Sequence, residues 1–317
     1  MKRSHANLLL LVVAVIWGSA FVAQVVGMTG VEPLTFTGIR FLLGAAIVCP
    51  FAWREWRALS AHGAQPLPGD ALSVATLGVL LMLGAAFQQI GMTSTTVTNA
   101  GFLTALYVPL VPLLAWLILR TRPHWSVWPT SIGCLGGTWL LSGAQALDPV
   151  VGDAWVIASS LFWALHVLLV GRIAERMAAP FVVACGQFLV CGLISLAWAG
   201  FHETITFAGI RQASLAIAYA GVVSVGIGFT AQVIGQRYAQ PADAAIILSA
   251  ETVFAALFGF LLMGDRLNAS GIAGCALILV CIIAVQLAPL TMAGKRSASR
   301  SDTAEAGRSP GRRETAG

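Results

Sequence analysis

The stretch Gly228–Met263 reads GFTAQVIGQRYAQPADAAIILSAETVFAALFGFLLM, two apolar segments on either side of a short polar turn at Arg237–Asp243. The second segment carries a carboxylate, Glu251, about one third of the way along. If both segments cross a bilayer, Glu251 lies near its middle. An ionisable side chain there costs roughly 2.5–3.5 kcal/mol on translocon insertion scales, so its presence predicts a functional or structural reason.

An earlier stretch, Gly84–Leu119, repeats this pattern as GAAFQQIGMTSTTVTNAGFLTALYVPLVPLLAWLIL. A shift of 144 positions without a gap aligns identical residues at Gly84/Gly228, Gln88/Gln232, Ile90/Ile234, Gly91/Gly235, Ala100/Ala244, Leu113/Leu257 and Leu117/Leu261. The same shift places Asn99 on Asp243 and Tyr107 on Glu251. The chain is therefore an internal duplication.

Composition restricts the class of protein. Of the 317 residues, 58% are hydrophobic and only 10% are charged, against about 25% charged in globular domains. The net charge of +5 does not indicate nucleic-acid binding, because the charges fall in short loops and a tail rather than on one soluble face. The six cysteines lie in apolar segments without C-x-x-C spacing, so we predict no disulfide framework, no metal site and no cofactor.

Ten segments are long and apolar enough to cross a bilayer. They lie near 6–26, 34–53, 71–91, 98–118, 126–145, 152–171, 181–200, 214–235, 243–263 and 269–288. We read the basic start and first apolar run as an uncleaved first helix. The predicted fold class is an all-α polytopic membrane protein with ten transmembrane helices.

The positions of Lys and Arg predict the orientation. With the amino terminus inside, fifteen of the eighteen Lys and Arg residues lie in inside loops and ends, and only Arg211 and Arg266 lie outside. This bias predicts that both termini are cytoplasmic, and the expected location is the bacterial inner membrane. The polar tail 293–317 is predicted to be disordered and cytoplasmic.

The 144-residue shift spans five helices, and an odd number of crossings places the second copy upside down in the membrane. We therefore predict two inverted five-helix repeats, 6–145 and 152–288, related by a pseudo-twofold axis in the membrane plane. Many secondary transporters have this architecture, with the binding site near the midplane where the repeats meet.

Local motifs in both halves resemble one family. The carrying residues are Val15-Ile16-Trp17-Gly18-Ser19, Arg40-Phe41-Leu42, Asn99-Ala100-Gly101-Phe102-Leu103, Tyr107-Val108-Pro109, Glu251-Thr252-Val253-Phe254-Ala255-Ala256-Leu257 and Gly264-Asp265-Arg266-Leu267. Together they resemble the EamA-type members of the drug/metabolite transporter superfamily. The resemblance implies a transporter of a small metabolite, with export of an amino acid or related compound as the expectation. Thr252 stands where the family usually has proline, which predicts a softer kink.

Polar and aromatic residues inside the spans are the candidate substrate-binding set: Trp17, Gln24, Gln88, Asn99, Tyr107, Trp163, His166, Gln232 and Glu251. Aromatic walls with a few polar groups are typical of small-molecule sites. The alternative is hydrogen bonding between helices, worth about 0.6 kcal/mol each. Arg40 either snorkels to the interface, pairs structurally or binds a substrate carboxylate. Glycine faces in spans 5 and 10 pack helices within one chain or form a homodimer seam.

Glu251 has two readings. It binds and releases a proton and so couples export to proton influx, or it is structural and bonds to Gln232 or a freed carbonyl. Two other classes of function stay open, a membrane-embedded enzyme acting on a lipid-linked substrate and a passive channel. The chain contains no H-E-x-x-H, P-loop or nucleophile-elbow motif and no filter-like run, which favours the transporter.

Overall fold

The computed structural model describes residues 1–63, 67–95, 97–141, 151–264, 266, 268–285 and 287, with the backbone alone for 97–99. The regular structure of these ranges is helical. Eight helices are long and apolar enough to cross a membrane. We number them as span 1 (Arg3–Gly27), span 2 (Pro33–Ala61), span 3 (Asp70–Gly91), span 4 (Ala100–Leu119), span 6 (Val151–Met177), span 7 (Pro180–His202), span 8 (Ser214–Gln236) and span 9 (Pro241–Met263).

Two shorter helices, span 5 (Val127–Leu141) and span 10 (Ala269–Val285), complete the set of ten. The predicted fold class is confirmed. The helix ends differ from the prediction, since spans 2 and 6 continue beyond 53 and 171. Both extensions carry exposed charged residues: Arg54 and Arg57 in span 2, and Arg172, Glu175 and Arg176 in span 6. A short helix, Phe207–Gln212, occupies the predicted loop before span 8.

Three of the spans are interrupted. Span 4 consists of the helices Val97–Thr104 and Tyr107–Leu119. Span 8 contains a π-helix, Ala220–Phe229, between the helices Ser214–Tyr219 and Thr230–Gln236. Span 9 consists of the helices Pro241–Leu248 and Ala250–Phe258 and a π-helical end at Gly259–Met263. Departures from regular α-helix of this kind are frequent at functional sites.

Helix packing obeys the symmetry of the duplication. Span 1 packs against spans 8 and 9, and its counterpart, span 6, packs against spans 3 and 4. Span 2 packs against span 8 as span 7 packs against span 3, and spans 2 and 7 pack against each other. Exchanging the two repeats therefore converts each contact into another contact of the set, as an inverted repeat requires.

Spans 2 and 7 also cap each other's amino ends. The Glu203 carboxylate, just after span 7, accepts hydrogen bonds of 2.7 Å from the backbone N–H groups of Leu34 and Thr35. Glu55, near the end of span 2, accepts a 2.9 Å bond from the backbone N–H of Val182. Carboxylates at helix amino ends satisfy orphan N–H groups and complement the helix dipole. Two glutamates 148 residues apart thus do the same job in the two repeats.

The buried apolar side chains form two large clusters. One combines residues of spans 1, 4, 5, 6, 9 and 10, and the other combines residues of spans 2, 3, 6, 7 and 8. Trp17 and Trp163 pack against both clusters. These two tryptophans therefore lie at the boundary between the clusters, where the repeats meet.

Candidate functional site

A central cavity of about 50 Å³ lies at this boundary. Seven of the nine predicted site residues line it: Trp17, Gln24, Gln88, Tyr107, Trp163, Gln232 and Glu251. Three further polar side chains, Arg40, Thr104 and Ser224, and an aromatic one, Phe229, complete the polar and aromatic lining. Both repeats contribute, so the cavity has the location that an inverted-repeat transporter needs for its binding site.

Two predicted residues stand apart from this set. The side chain of Asn99 lies outside the described residues. His166 is fully buried behind Trp163, and its Nε2 lies 2.8 Å from Oε1 of Gln187 on span 7. Ser159, one helical turn before Trp163, is fully buried, and its Oγ donates to the Val156 carbonyl at 2.6 Å. The structure does not place His166 in the cavity lining.

The aromatic wall is built around Phe229, at the end of the π-helix. Its ring centroid lies 4.5 Å from that of Trp17 and 6.0 Å from that of Trp163, which it stacks on at 18°. The indole Nε1 atoms of both tryptophans are buried and find no hydrogen-bond partner among the described residues. Two such donors are unusual in a packed interior. They fit a site that receives a polar ligand or water.

The amides of the cavity are only partly satisfied. Gln88 donates from Nε2 to Thr104 Oγ1 at 2.8 Å. The Oε1 atoms of Gln24 and Gln232 are buried without a partner in the described part of the chain. Packing glutamines would be expected to bond to neighbouring helices. These acceptors, together with the indole donors, give the cavity unused hydrogen-bonding capacity of both kinds.

Glu251 follows directly on the interruption of span 9 at Ser249. Side-chain hydroxyls hydrogen-bond to backbone carbonyls at this point. Ser249 Oγ donates to the Ile246 carbonyl at 2.6 Å, and Thr252 Oγ1 donates to the Ser249 carbonyl at 2.8 Å. The α-helical ladder is thus irregular here without proline, while Ser249 keeps helical dihedrals of φ −60° and ψ −15°. The softer kink expected from Thr252 stays a prediction. Side-chain bonds of this type compete with the helical ladder.

The break of span 4 is the repeat counterpart of this one. The helices of span 4 are separated at Ala105 and Leu106, and Ala105 is the repeat mate of Ser249. Tyr107 comes two residues after Ala105, as Glu251 comes two residues after Ser249. Tyr107 donates a long bond of 3.4 Å to the Ala245 carbonyl of span 9. Two helices with a local irregularity at mated positions therefore carry the mated residues Tyr107 and Glu251 to one cavity.

The Glu251 carboxylate is buried, with 8% of the residue exposed. Among the described residues this carboxylate has no hydrogen bond or ion pair, to Gln232 or to any other residue. Its backbone is tightly held, because a β-carbon on Gly18 of span 1 would lie 2.8 Å from the Glu251 carbonyl oxygen. A rigid backbone with an unpartnered carboxylate leaves the side chain available to a proton or a cation.

Arg40, whose role the sequence left open between the interface, a structural pair and a substrate carboxylate, is a cavity residue. It is 3% exposed, and its guanidinium carbon lies 5.4 Å and 5.2 Å from the ring centroids of Phe36 and Phe41. Its Nε is buried and unpartnered among the described residues. The side chain lines the central cavity instead of reaching the surface. The position of Arg40, seven residues from the end of its span, does not show whether the side chain points to the surface or into the cavity.

A larger cavity, the vestibule, opens on the side where the chain begins. It measures about 960 Å³, and its charged lining consists of Arg3, Arg122, Arg172, Arg176, Arg237 and Glu175. Spans 6 and 8 line both this vestibule and the central cavity, and they contact each other. Gln236 donates from Nε2 to the Val167 carbonyl at 2.9 Å, and a β-carbon on Gly171 would lie 2.4 Å from the Gln236 carbonyl oxygen.

Comparison with known proteins defines the class. The pattern of the EamA-like transporter family matches residues 5–143 and again 150–287. The chain belongs to this family, and it is a multi-pass membrane protein of the transporter class. The two matches cover one repeat each.

Individual relatives carry similarly general descriptions. The chain is 28% identical to an uncharacterized transporter of Archaeoglobus fulgidus over 90% of its own length and 87% of the relative's. It is 24% identical to the uncharacterized transporter YwfM of Bacillus subtilis, covering 91% and 96%. It is 24% identical to the uncharacterized inner membrane transporter YedA of Escherichia coli K12, covering 80% and 81%. A crystal structure with 22% identity superposes with a TM-score of 0.73, covering 90% of this chain and 98% of the other, and supports the fold.

Proposed function

We propose that this protein is a secondary transporter of the bacterial inner membrane that exports a small metabolite, an amino acid or a related compound. In this proposal both termini are cytoplasmic and the vestibule faces the cytoplasm. The observation that carries it is the central cavity at the repeat interface, lined by paired residues of the two repeats and by the unpartnered Glu251. A cavity placed there can be opened to either side by rocking one bundle against the other.

The size of the cavity bears on the transport cycle. At about 50 Å³, it is much smaller than the roughly 300–1,000 Å³ of ligand pockets. A metabolite therefore enters only when spans move apart. Val167 lines the central cavity, and Gln236, which bonds to its carbonyl, lines the vestibule. We take this contact as the proposed barrier, whose separation would admit a solute from the cytoplasmic side.

Glu251 supplies the coupling step in this proposal. Its carboxylate takes up a proton from the outer side when no solute is bound. Binding of an ammonium group beside the carboxylate on the cytoplasmic side favours the charged form, and the proton is released inward. One proton then moves in as one solute moves out. The absence of a hydrogen bond from Glu251 to Gln232 in the structure favours this over the structural reading.

Counterflow tests the proposal. Purified protein in liposomes loaded with a mixture of unlabelled amino acids should accumulate a trace of labelled external amino acid, with a rate that saturates. Liposomes lacking protein give the background. A rate that rises linearly with concentration would identify a channel instead, and a chemically altered solute would identify an enzyme.

A further inference from the structure

We infer that Arg40 is the carboxylate-binding residue of the central cavity, so that the exported solute carries a free carboxylate. This inference rests on the proposed transport function and specifies its substrate class. It begins from the state of the guanidinium group. Arg40 is buried, lines the cavity and has an Nε without a partner among the described residues.

No acidic side chain neutralises Arg40 in the part of the chain that the structure describes. The two ion pairs found there, Arg3 with Asp243 and Arg176 with Asp70, both involve ends of spans. The neighbours of the guanidinium are instead the rings of Phe36 and Phe41, and Cys191 of span 7 lies nearby. Cation–π contacts offset part of the cost of burying a charge. A buried cation without an anion is otherwise strongly unfavourable.

The repeat symmetry indicates that this charge is not a packing requirement. The mutual capping of spans 2 and 7 relates Glu55 to Glu203 by 148 positions, and the same shift relates Arg40 to Phe188. Phe188 is fully buried and packs on Phe41 with a centroid distance of 6.1 Å. The second repeat thus fills the equivalent place with an apolar ring. Arg40 and Glu251, whose mate is Tyr107, are the two cavity positions where one repeat is charged and the other is not.

These two charges have opposite signs and line the same cavity. A zwitterion presents a carboxylate to one and an ammonium to the other. A guanidinium holds a carboxylate through two parallel N–H···O bonds, which adds orientation to affinity. The solute class that matches both charges is therefore a compound with a free carboxylate and an amine.

The charge of the vestibule agrees with the same inference. Five arginines and one glutamate make up its charged lining. Arg3 and Arg176 are paired with aspartates, and the other three arginines still outnumber the glutamate, so the potential is positive. A charged cleft raises the local concentration of solutes that carry the opposite sign. A carboxylate-bearing compound is thus attracted towards the barrier at Gln236, whereas a simple amine is not.

Matched ligand pairs test the assignment. The thermal unfolding midpoint of the detergent-purified full-length protein is measured against increasing concentrations of each L-amino acid and of its α-carboxamide, at a pH where both amines are protonated. The pair differs only in the carboxylate. We expect at least one acid to bind about tenfold or more tightly than its amide, the amount lost with a charged hydrogen bond. In Arg40→Met this ratio falls to about one, and in the control Arg57→Met, near exposed Trp53, it is unchanged.

The other outcomes overturn the inference. Equal binding of acid and amide to the unaltered protein, or an undiminished preference in Arg40→Met, would exclude a carboxylate site at Arg40 while leaving amino-acid transport in place. Binding of neither ligand class would remove the amino-acid proposal and the inference together. Displacement of the acid by equimolar inorganic phosphate would indicate that Arg40 binds a phosphate group and not a carboxylate. If Arg40→Met does not fold, Arg40→Lys is used, which keeps the positive charge but not the two parallel N–H donors. Its ratio of acid to amide binding should lie between that of the unaltered protein and one.

Discussion

Trp163 of the second repeat lies against Gly84 of the first, such that a β-carbon on Gly84 would be 3.1 Å from Cδ2 of the indole. The reverse pair is also present. A β-carbon on Gly228, the repeat mate of Gly84, would be 3.1 Å from Nε1 of Trp17. Each repeat therefore uses a glycine to admit the tryptophan of the other. The cavity walls depend on contacts between the repeats, and changes in those contacts should alter the cavity.

Gly18→Ala should destabilise the protein. The new β-carbon would lie 2.5 Å from Cβ of Phe254 and 2.7 Å from the backbone nitrogen of Ala255. Because a backbone atom cannot be displaced as a side chain can, overpacking of about 1–3 kcal/mol is expected. The measurement is the free energy or midpoint of unfolding in detergent. Gly136→Ala is the control, since nothing lies within 4 Å of its β-carbon, and it should be neutral or slightly stabilising. Equal stability of the two variants would contradict the close packing of spans 1 and 9.

Thr252→Pro should be tolerated. Thr252 is the third residue of the helix Ala250–Phe258, where N–H groups lack regular intrahelical partners. The substitution removes the bond from Thr252 N to the Ser249 carbonyl and should cost about 1 kcal/mol. Ala256→Pro, in the interior of the same helix, should cost about 3 kcal/mol or more. Thermal unfolding compares the two variants, and a similar loss in both would argue against the break at Ser249.

The span pattern and the duplication could be predicted because hydropathy is set by composition over long windows. The mated cavity residues Gln88, Gln232, Tyr107 and Glu251 followed from the same alignment. The irregularity at Ser249 could not be predicted, because no proline marks it and the hydroxyl bonds of Ser249 and Thr252 that accompany it leave no pattern in the sequence.

Other cavity residues could not be predicted from the sequence for a different physical reason. Phe229 and Ser224 lie in a π-helix, where the relation between residue number and helix face departs from the α-helical repeat. Arg40 could be read as reaching the interface because its distance from the span end does not define its rotation about the helix axis. The choice depends on packing with span 7, which no local pattern records.

Tyr107→Ala should reduce transport more than folded yield. The side chain lines the cavity and has only a 3.4 Å bond to Ala245. Loss of a positioning aromatic group should lower counterflow per folded molecule by about tenfold, equivalent to roughly 1.4 kcal/mol. Trp116→Ala in the same span is the control, because Trp116 is exposed at the protein surface. Normal flux per folded molecule combined with a large loss of yield would identify Tyr107 as a packing residue.

Cysteine labelling should establish the orientation. In a variant without the native cysteines, His62→Cys and Ser301→Cys should resist an impermeant maleimide in intact cells, and Asp148→Cys should react. The reason is the concentration of Lys and Arg on the side of the amino terminus. Permeabilised cells give the full labelling as reference. Reaction of the tail and of position 148 from outside would refute a ten-span arrangement with both termini in the cytoplasm.

Glu251→Gln should separate exchange from proton-driven accumulation. Glutamine keeps the shape and the acceptor oxygen of the carboxylate but cannot take up or release a proton at the pH of the transport experiment. The variant should therefore fold and perform counterflow, in which the solute alone returns, at a rate within a few fold of the unaltered protein. Under a pH gradient across the liposome membrane, uphill accumulation should be lost. Glu175→Gln, in the vestibule lining, removes a carboxylate from outside the central cavity and should retain accumulation.

The two measurements on Glu251→Gln discriminate between the readings of this residue. A structural glutamate that served as a hydrogen-bond acceptor would be replaced adequately by glutamine, and both activities would persist. A coupling glutamate leaves exchange intact and abolishes the response to the gradient, because the step that exchanges a proton for a solute has lost its titrating group. Undiminished accumulation in Glu251→Gln, at normal folded yield, would exclude the coupling role and would assign the proton step to another residue.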